Sequence, residues 1–215
     1  MLIRHLPTEL KVTIYLSGAQ PARARDFADR LVDEGATHLL SFGYAAGLNP
    51  VDKPGTLLIP RSVKGPEGIT YNTDGDWLAE AAALLHEFYP LAGNHLGVDE
   101  PIVEIDQKAT VFLRSRGASG VDMESHWLAA VATRRQLPFL AVRVILDAAD
   151  QSLPPAAMAC VRTDGSISMA GLAGSLALRP TQLAALSRLA GAQRKAASSL
   201  LGCCRRGGPA GFGVR

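Results

Sequence analysis

Cysteine, aromatics, long apolar runs and an excess of one charge are all scarce in this chain, and each shortage removes a class of protein. Cys160, Cys203 and Cys204 are the only cysteines among 215 residues. They show neither CxxC nor Cys/His ligand spacing, so the sequence supports neither a disulfide framework nor a zinc site, and no metal is expected. The formal net charge is only +2. The basic residues are scattered apart from a short cluster near the end, so nucleic acid is not an expected partner. No apolar run approaches the length of roughly eighteen residues that a membrane span needs, and no signal-peptide pattern opens the chain. An integral membrane protein is therefore not expected, and a cytoplasmic location is. A G-x-S-x-G nucleophile elbow is missing, and so is the GxGxxG fingerprint of dinucleotide sites. What remains is a chain that is 47% hydrophobic and 6% aromatic, enough to bury one sizeable core in a single domain.

Read in order, residues 1–10 carry Pro7 and no period, and form an irregular lead-in. Residues 11–16 read as a strand and Ser17-Gly18 as a turn. A helix is expected over 21–34, because Pro21 suits a first turn and Ala24, Phe27, Ala28 and Leu31 recur at helical spacing. Gly35 is its stop signal, and residues 38–42 then close a first strand–helix–strand unit. Gly43, Tyr44, Ala45, Ala46 and Gly47 follow, read as a small-residue loop. Small residues let a ligand approach the backbone, and free N–H groups can hold an anion or a sugar hydroxyl; a plain turn is the other reading. Residues 56–60 read as a strand, followed by a Gly/Pro-rich excursion to Tyr71. Thr73 or Asp74 is the expected cap of a helix over 77–88. Residues 101–106 read as a strand ending in an acid, with a short helix to about 116. Pro154 and Pro155 break the pattern, 162–174 reads as loop, and 181–201 as the last helix. Five glycines and a proline mark 202–215 as a disordered tail, which leaves 1–201 for the folded domain.

Two stretches organise the rest. Gly120-Val121-Asp122-Met123-Glu124-Ser125 opens into a helical pattern carrying Trp127, Leu128, Ala130, Val131 and Ala132. Ala141-Val142-Arg143-Val144-Ile145-Leu146-Asp147 is a β-branched run ending on an acid. Strand, helix and strand within about thirty residues suggest a unit with parallel strands, covered on both faces. The fold class read from this is α/β, with a mixed, mainly parallel central sheet flanked by helices. In such sheets ligands bind beyond the carboxyl ends of strands, which is where Glu124 and Asp147 are expected. Taken singly, each acid has a structural reading as well. Glu124 suits a helix first turn, and Asp147 has Arg143 four residues before it as an ion-pair partner.

Taken jointly, four segments resemble the nucleoside phosphorylase and nucleosidase family, which includes methylthioadenosine/S-adenosylhomocysteine nucleosidase. They are Gly43-Tyr44-Ala45-Ala46-Gly47-Leu48, then Pro54-Gly55-Thr56-Leu57-Leu58-Ile59, Val121-Asp122-Met123-Glu124-Ser125, and Arg143-Val144-Ile145-Leu146-Asp147. They stand in the family's order and cover roughly residues 11 to 150. Ser41-Phe42-Gly43 and Leu153-Pro154-Pro155-Ala156-Ala157 look closest to the hopanoid-biosynthesis-associated branch, held to remove adenine from adenosylhopane. The resemblance implies cleavage of a purine N-ribosidic bond in a 5′-substituted adenosine. It implies Asp147 as the acid that serves the departing base, and Glu124 with Met123 at the ribose. It puts residues 43–47 beside the sugar and nucleophile, and Asp106, Gln107 and Lys108 near the base. No cofactor is implied, with phosphate left open as a co-substrate, and a homo-oligomer, most simply a dimer, is expected.

The chain also departs from the family pattern. The strand at 11–16 aligns better with the family's second strand than its first, so the first, with the Glu it supplies in nucleosidases, has no obvious counterpart. The first glycine of the loop's Gly-Gly pair is Ala46. No Arg stands just before Gly43, which favours water over phosphate as the acceptor. A nucleoside-binding homologue that has lost catalysis is the rival from another class. A dinucleotide enzyme fits the strand–helix pattern but lacks the fingerprint.

Overall fold

The computed structural model describes residues 12–18, 20–153, 183–208 and 211–214. Seven strands form one sheet: β1 (Leu39–Gly47), β2 (Leu57–Leu58), β3 (Ser62–Lys64), β4 (Thr70–Asn72), β5 (Asn94–Gly97), β6 (Gly120–Asp122) and β7 (Phe139–Asp147). Their order across the sheet is β2-β7-β1-β6-β5-β3-β4. Among the described residues, α1 (Pro21–Asp33), α2 (Gly75–Leu84), α3 (Ile105–Arg114), α4 (Ser125–Arg135) and α5 (Leu183–Gly207) flank it. The fold is a mixed α/β domain of the kind the sequence indicates. Parallel pairings (β1 with β7, β3 with β5, β5 with β6) and antiparallel ones (β1 with β6, β2 with β7, β3 with β4) are equally represented.

The apolar alternation of β1 and β7 assigns their faces. Leu140, Val142 and Val144 pack on one face with Leu57, Ile59, Trp77, Ala196 and Phe212, joined by Leu40, Phe42 and Tyr44 of β1. Phe139 and Ala141 pack on the other with Leu39, Ala28, Ala129 and Ala132. Leu140, Val142 and Val144 are fully buried, each contributing about 1.5–3 kcal/mol from removal of its apolar surface from water. Pro21 starts α1, and Gly35, at φ +93°, follows its end. Asp74 caps α2 by accepting a hydrogen bond from the Trp77 N–H at 2.8 Å.

Several expectations are corrected. Residues 12–18 belong to no strand, because no described segment lies alongside to bond their backbone. Val12, Ile14 and Leu16 face solvent, while Tyr15 stacks on Phe27 and donates to Glu34. The first strand–helix–strand unit therefore does not form. Residues 43–47 are not a loop but the second half of β1. Residues 101–106 are not a strand: Glu104 sits at the start of α3, where Gln107 Oε1 accepts from its N–H at 3.3 Å. Strand β5, which pairs with β3 and β6, has no apolar pattern to announce it.

The unit around α4 is also different. β1 lies between β6 and β7, antiparallel to the first and parallel to the second, so β6 and β7 run in opposite directions. The tail is corrected too. α5 runs on to Gly207, Cys203 and Phe212 are buried, and Trp77 Nε1 donates to the Gly211 carbonyl at 3.2 Å. Apolar contacts for Cys203 and Phe212 outweigh the entropy cost of ordering five glycines. The break at 154–155, the loop at 162–174 and the first residues of the last helix lie outside the described residues.

Candidate active site

Because β6 runs against β1, its last residue Asp122 comes level with Ala45, and the turn through Met123 carries Glu124 on to Arg143. Glu124 stands at the N-cap of α4, yet its side chain caps nothing. Instead its Oε2 accepts from Arg143 Nη1 at 3.2 Å, and its Oε1 accepts from Ser17 Oγ at 3.3 Å. Arg143 pairs with Gly43 in the β1–β7 register, and a Cβ on Gly43 would lie 2.9 Å from Arg143 Nη1. A larger residue at this position would make the guanidinium shift from its present place.

Arg143 is buried and its donors are committed. Nη1 also donates to the Tyr44 carbonyl at 3.2 Å, Nη2 to Ser41 Oγ, and Nε to Ser125 Oγ at 3.0 Å, with Asp122 Oδ2 2.8 Å away. Asp122 in turn accepts from His95 Nε2 at 2.8 Å and from the backbone N–H groups of Glu124 and Ser125 at 2.9 and 2.7 Å. The expected pairing of Arg143 with Asp147 does not occur; Arg143 belongs to Asp122 and Glu124.

Asp147 lies four residues farther along β7, about 13 Å at ordinary strand rise. A register shift between Ala45 and Ala46 sets it opposite Ala46, whose other neighbour is Val121. Its partner is Lys108 of α3, a fully buried lysine. Lys108 Nζ also donates to the carbonyls of Ala148 and Gln151 at 2.9 and 2.8 Å. Burial pushes the Asp147 carboxyl above its ordinary pKa, and the attraction and hydrogen bond of Lys108 offset this only in part. The structure thus holds two carboxylates, each beside a buried cation, at two levels of β1. The stretch Gly43 to Gly47 spans the distance between them. They end or follow strands that run in opposite directions, not the parallel pair that the sequence suggested.

The remaining candidates are placed as follows. Met123 is half-buried next to Glu124. The Tyr44 side chain packs on the opposite face of the sheet, where burial raises its hydroxyl pKa; only its carbonyl joins the network. Of residues 106–108, which lie in the first turn of α3, Asp106 and Gln107 are exposed and Lys108 alone reaches Asp147. His126, two residues after Glu124, is buried against Gly97.

The family profile described as Phosphorylase superfamily matches residues 3–160, well over half of the chain. The protein belongs to the phosphorylase superfamily. No curated protein matches the chain. Among solved structures it is similar to the 5′-methylthioadenosine/S-adenosylhomocysteine nucleosidase of Helicobacter pylori, with 22% identity, TM-score 0.57, and 62% of this chain and 66% of that one covered. It is similar to the S-adenosylhomocysteine nucleosidase of Streptococcus pyogenes, at 18% identity and TM-score 0.58, covering 62% of this chain and 64% of that one. The Campylobacter jejuni 5′-methylthioadenosine/S-adenosylhomocysteine nucleosidase, 19% identical with TM-score 0.58, shares 82% of this chain and 78% of its own. This superfamily member therefore spans about two thirds of the length of the first two. At such identities the likeness establishes the fold.

Sequence reasoning singled out Glu124 and Asp147 and missed what holds them. Ser17 and His95 carried no motif, Ser41, Asp122 and Ser125 stood in quoted segments without a role of their own, and Lys108 pairs with a residue 39 positions away. Asp122 was legible only as the acid two residues before Glu124. Its own burial would raise its pKa. The Arg143 charge, then His95 and the hydrogen bonds from His95 and Ser125, outweigh that and hold the carboxyl well below the usual range.

A depressed folded pKa means that Asp122 contributes its stability above the ordinary carboxylate value, about 3.9. That contribution is lost as the pH falls from there toward the folded pKa. Urea midpoints are expected to drop more steeply below about pH 4 in the unaltered chain than in Asp122→Asn. Parallel profiles would show that Asp122 carries no such linkage.

Proposed function

We propose that this protein cleaves the N-ribosidic bond of a purine nucleoside, with Asp147 as general acid and Glu124 as the ribose-binding group. The observation that carries the reading is the pair of buried-cation-backed carboxylates on either side of residues 43–47. Cleavage of a glycosidic bond passes through a cation-like sugar. The C1′–N9 electron pair leaves with the purine and a proton passes from Asp147 to its N7; water then forms the C1′–O bond and releases a proton to solvent, from which Asp147 is reprotonated. A carboxyl that burial keeps protonated to higher pH than usual suits the first role. A carboxylate that accepts the ribose hydroxyls favours the transition state as positive charge grows on the sugar. Met123 would pack on the ribose, and the backbone of 43–47 would line the sugar. Lys108 would hold Asp147 in place at the base, with Asp106 and Gln107 farther out on the same turn.

Water is the proposed acceptor. Arg143 is engaged by Asp122 and Glu124, so two carboxylates meet this guanidinium and leave it little positive charge for a phosphate dianion. The chemistry runs on side chains without a metal or cofactor. The proposed substrate class is a hydrophobic 5′-substituted adenosine, adenosylhopane among them, which rests on the resemblance of Ser41-Phe42-Gly43 to that branch.

The test is adenine release from 5′-methylthioadenosine and from a 5′-alkyl adenosine in phosphate-free buffer, with adenine affinity measured on the same preparation. Release that is unchanged by added phosphate supports the reading, and binding without release would favour the catalytically silent homologue. Glu124→Gln is expected to weaken nucleoside binding by about 10- to 100-fold, the loss of a hydrogen bond to a charged group, and to leave free adenine within twofold. An equal loss for both ligands would remove Glu124 from the ribose.

A further inference from the structure

We propose that Asp122 is a positioning residue for the sugar-binding acid, acting through Arg143 so that Glu124 keeps an oxygen available for substrate. This rests on the ribose-binding role of Glu124 given above. Asp122 cannot touch a ligand itself, because it is 7% exposed and both its oxygens are taken. Oδ1 accepts from the Glu124 and Ser125 N–H groups at 2.9 and 2.7 Å. Oδ2 accepts from His95 Nε2 at 2.8 Å and Ser125 Oγ at 2.5 Å, and it lies 2.8 Å from Arg143 Nε. One carboxylate therefore fixes the backbone that carries Glu124 and also the arginine that restrains it.

The consequence lies in how the guanidinium meets Glu124. Arginine and carboxylate prefer a two-pronged pairing. Here Nε is turned toward Asp122 and Nη2 toward Ser41, and Nη1 is shared with the Tyr44 carbonyl. Only one prong reaches Glu124, at Oε2, and Oε1 has the Ser17 hydroxyl at 3.3 Å as its contact. That weak contact is readily exchanged for a sugar hydroxyl. Without the Asp122 charge, Arg143 is free to turn and cover both Glu124 oxygens, which neutralises the acid and occupies the acceptor that the sugar needs. His95, on Oδ2, supports the same orientation.

The experiment uses Asp122→Asn in the full chain, with affinities for adenine and for a 5′-substituted adenosine, kcat and KM, and a crystal structure of the variant. Nucleoside affinity is expected to fall about 10- to 100-fold with adenine unchanged within twofold, and Arg143 is expected on both oxygens of Glu124. A merely structural role would lower both affinities together. Arg143 still bound to Ser41 and the Tyr44 carbonyl in the variant would overturn the inference, whatever the activity. If the unaltered chain neither binds nucleoside nor releases base, the reading of the function falls, and that structure still decides this inference. Should Asp122→Asn not fold, Asp122→Glu keeps the charge and shifts it by about one bond length, roughly 1.5 Å. The same separation of the two affinities is expected, and equal affinities would overturn the proposal.

Discussion

Replacing Asp147 by Asn is expected to slow base release by about 10²- to 10⁴-fold, the usual worth of a positioned general acid. An amide has nearly the shape of the carboxyl but no proton to give to N7. Adenine should still bind within a few-fold, since the walls of the site are unchanged. The substitution also leaves the fully buried Lys108 without its carboxylate, and breaking a buried pair costs about 3–5 kcal/mol. The Ala148 and Gln151 carbonyls stay with Nζ, so the loss should fall at the lower end. Rates must therefore be referred to the folded fraction by circular dichroism. The pH profile carries the same signature. Release needs the protonated acid, and burial raises the Asp147 pKa, so activity should persist above the ordinary carboxylate range and fall as pH rises through the elevated value. If Asp147→Asn keeps its rate within about tenfold, the acid role passes from this residue, since less than the lower bound for general acid catalysis is lost.

Phe212→Ala is expected to cost about 3–5 kcal/mol, as for a large aromatic removed from a core. Phe212 is 4% exposed. Its ring lies 5.3 Å from that of Phe42, and it packs in the cluster that holds Leu57, Trp77 and Val144. The chain reaches this position through a tight turn: Phe212 has φ +54°, and a Cβ on Gly207 would come within 2.4 Å of the phenyl ring. Urea unfolding followed by tryptophan fluorescence reads the change directly, because Trp77 bonds the adjacent Gly211 carbonyl. A loss below about 1 kcal/mol, the range of surface substitutions, would show that the last residues are not part of the core.

The tail also shows where sequence reading stopped. Glycine content argued for disorder, whereas two apolar side chains, Cys203 and Phe212, supply enough burial to order it. Helical spacing made α1 legible, an apolar helical stretch α4 and a β-branched run β7, and the Asp74 cap marked α2. Residues 101–106 misled because their β-branched run has no partner strand, and the Glu104–Gln107 cap then begins a helix. Residues 94–97 gave no pattern, since β5 is four residues long with one polar, fully buried histidine. At the site, the acids were legible through their motifs. The pairing of Lys108 with Asp147 and the Arg143 network were not, because such pairings are fixed by topology; β6 running against β1 is what brings Glu124 to Arg143.

The central pairings of the sheet join distant parts of the chain. Leu39 of β1 lies beside Phe139 of β7, a hundred positions later, and Leu57 of β2 lies beside Val144. On a ribosome making about 5–20 residues per second, β1 emerges several seconds before its partner. Through that interval β1 and β2 are open edges with apolar faces, the condition that invites association with other chains. Long-range pairing of this kind also places folding toward the slow end of the range for single domains. The arrival of β7 closes an edge on β1 and on β2 at once and delivers Arg143 and Asp147 to their partners. The apolar face these strands form stays open until Ala196 and Phe212 follow, so the residues of the candidate site are in place before the core that supports them is closed.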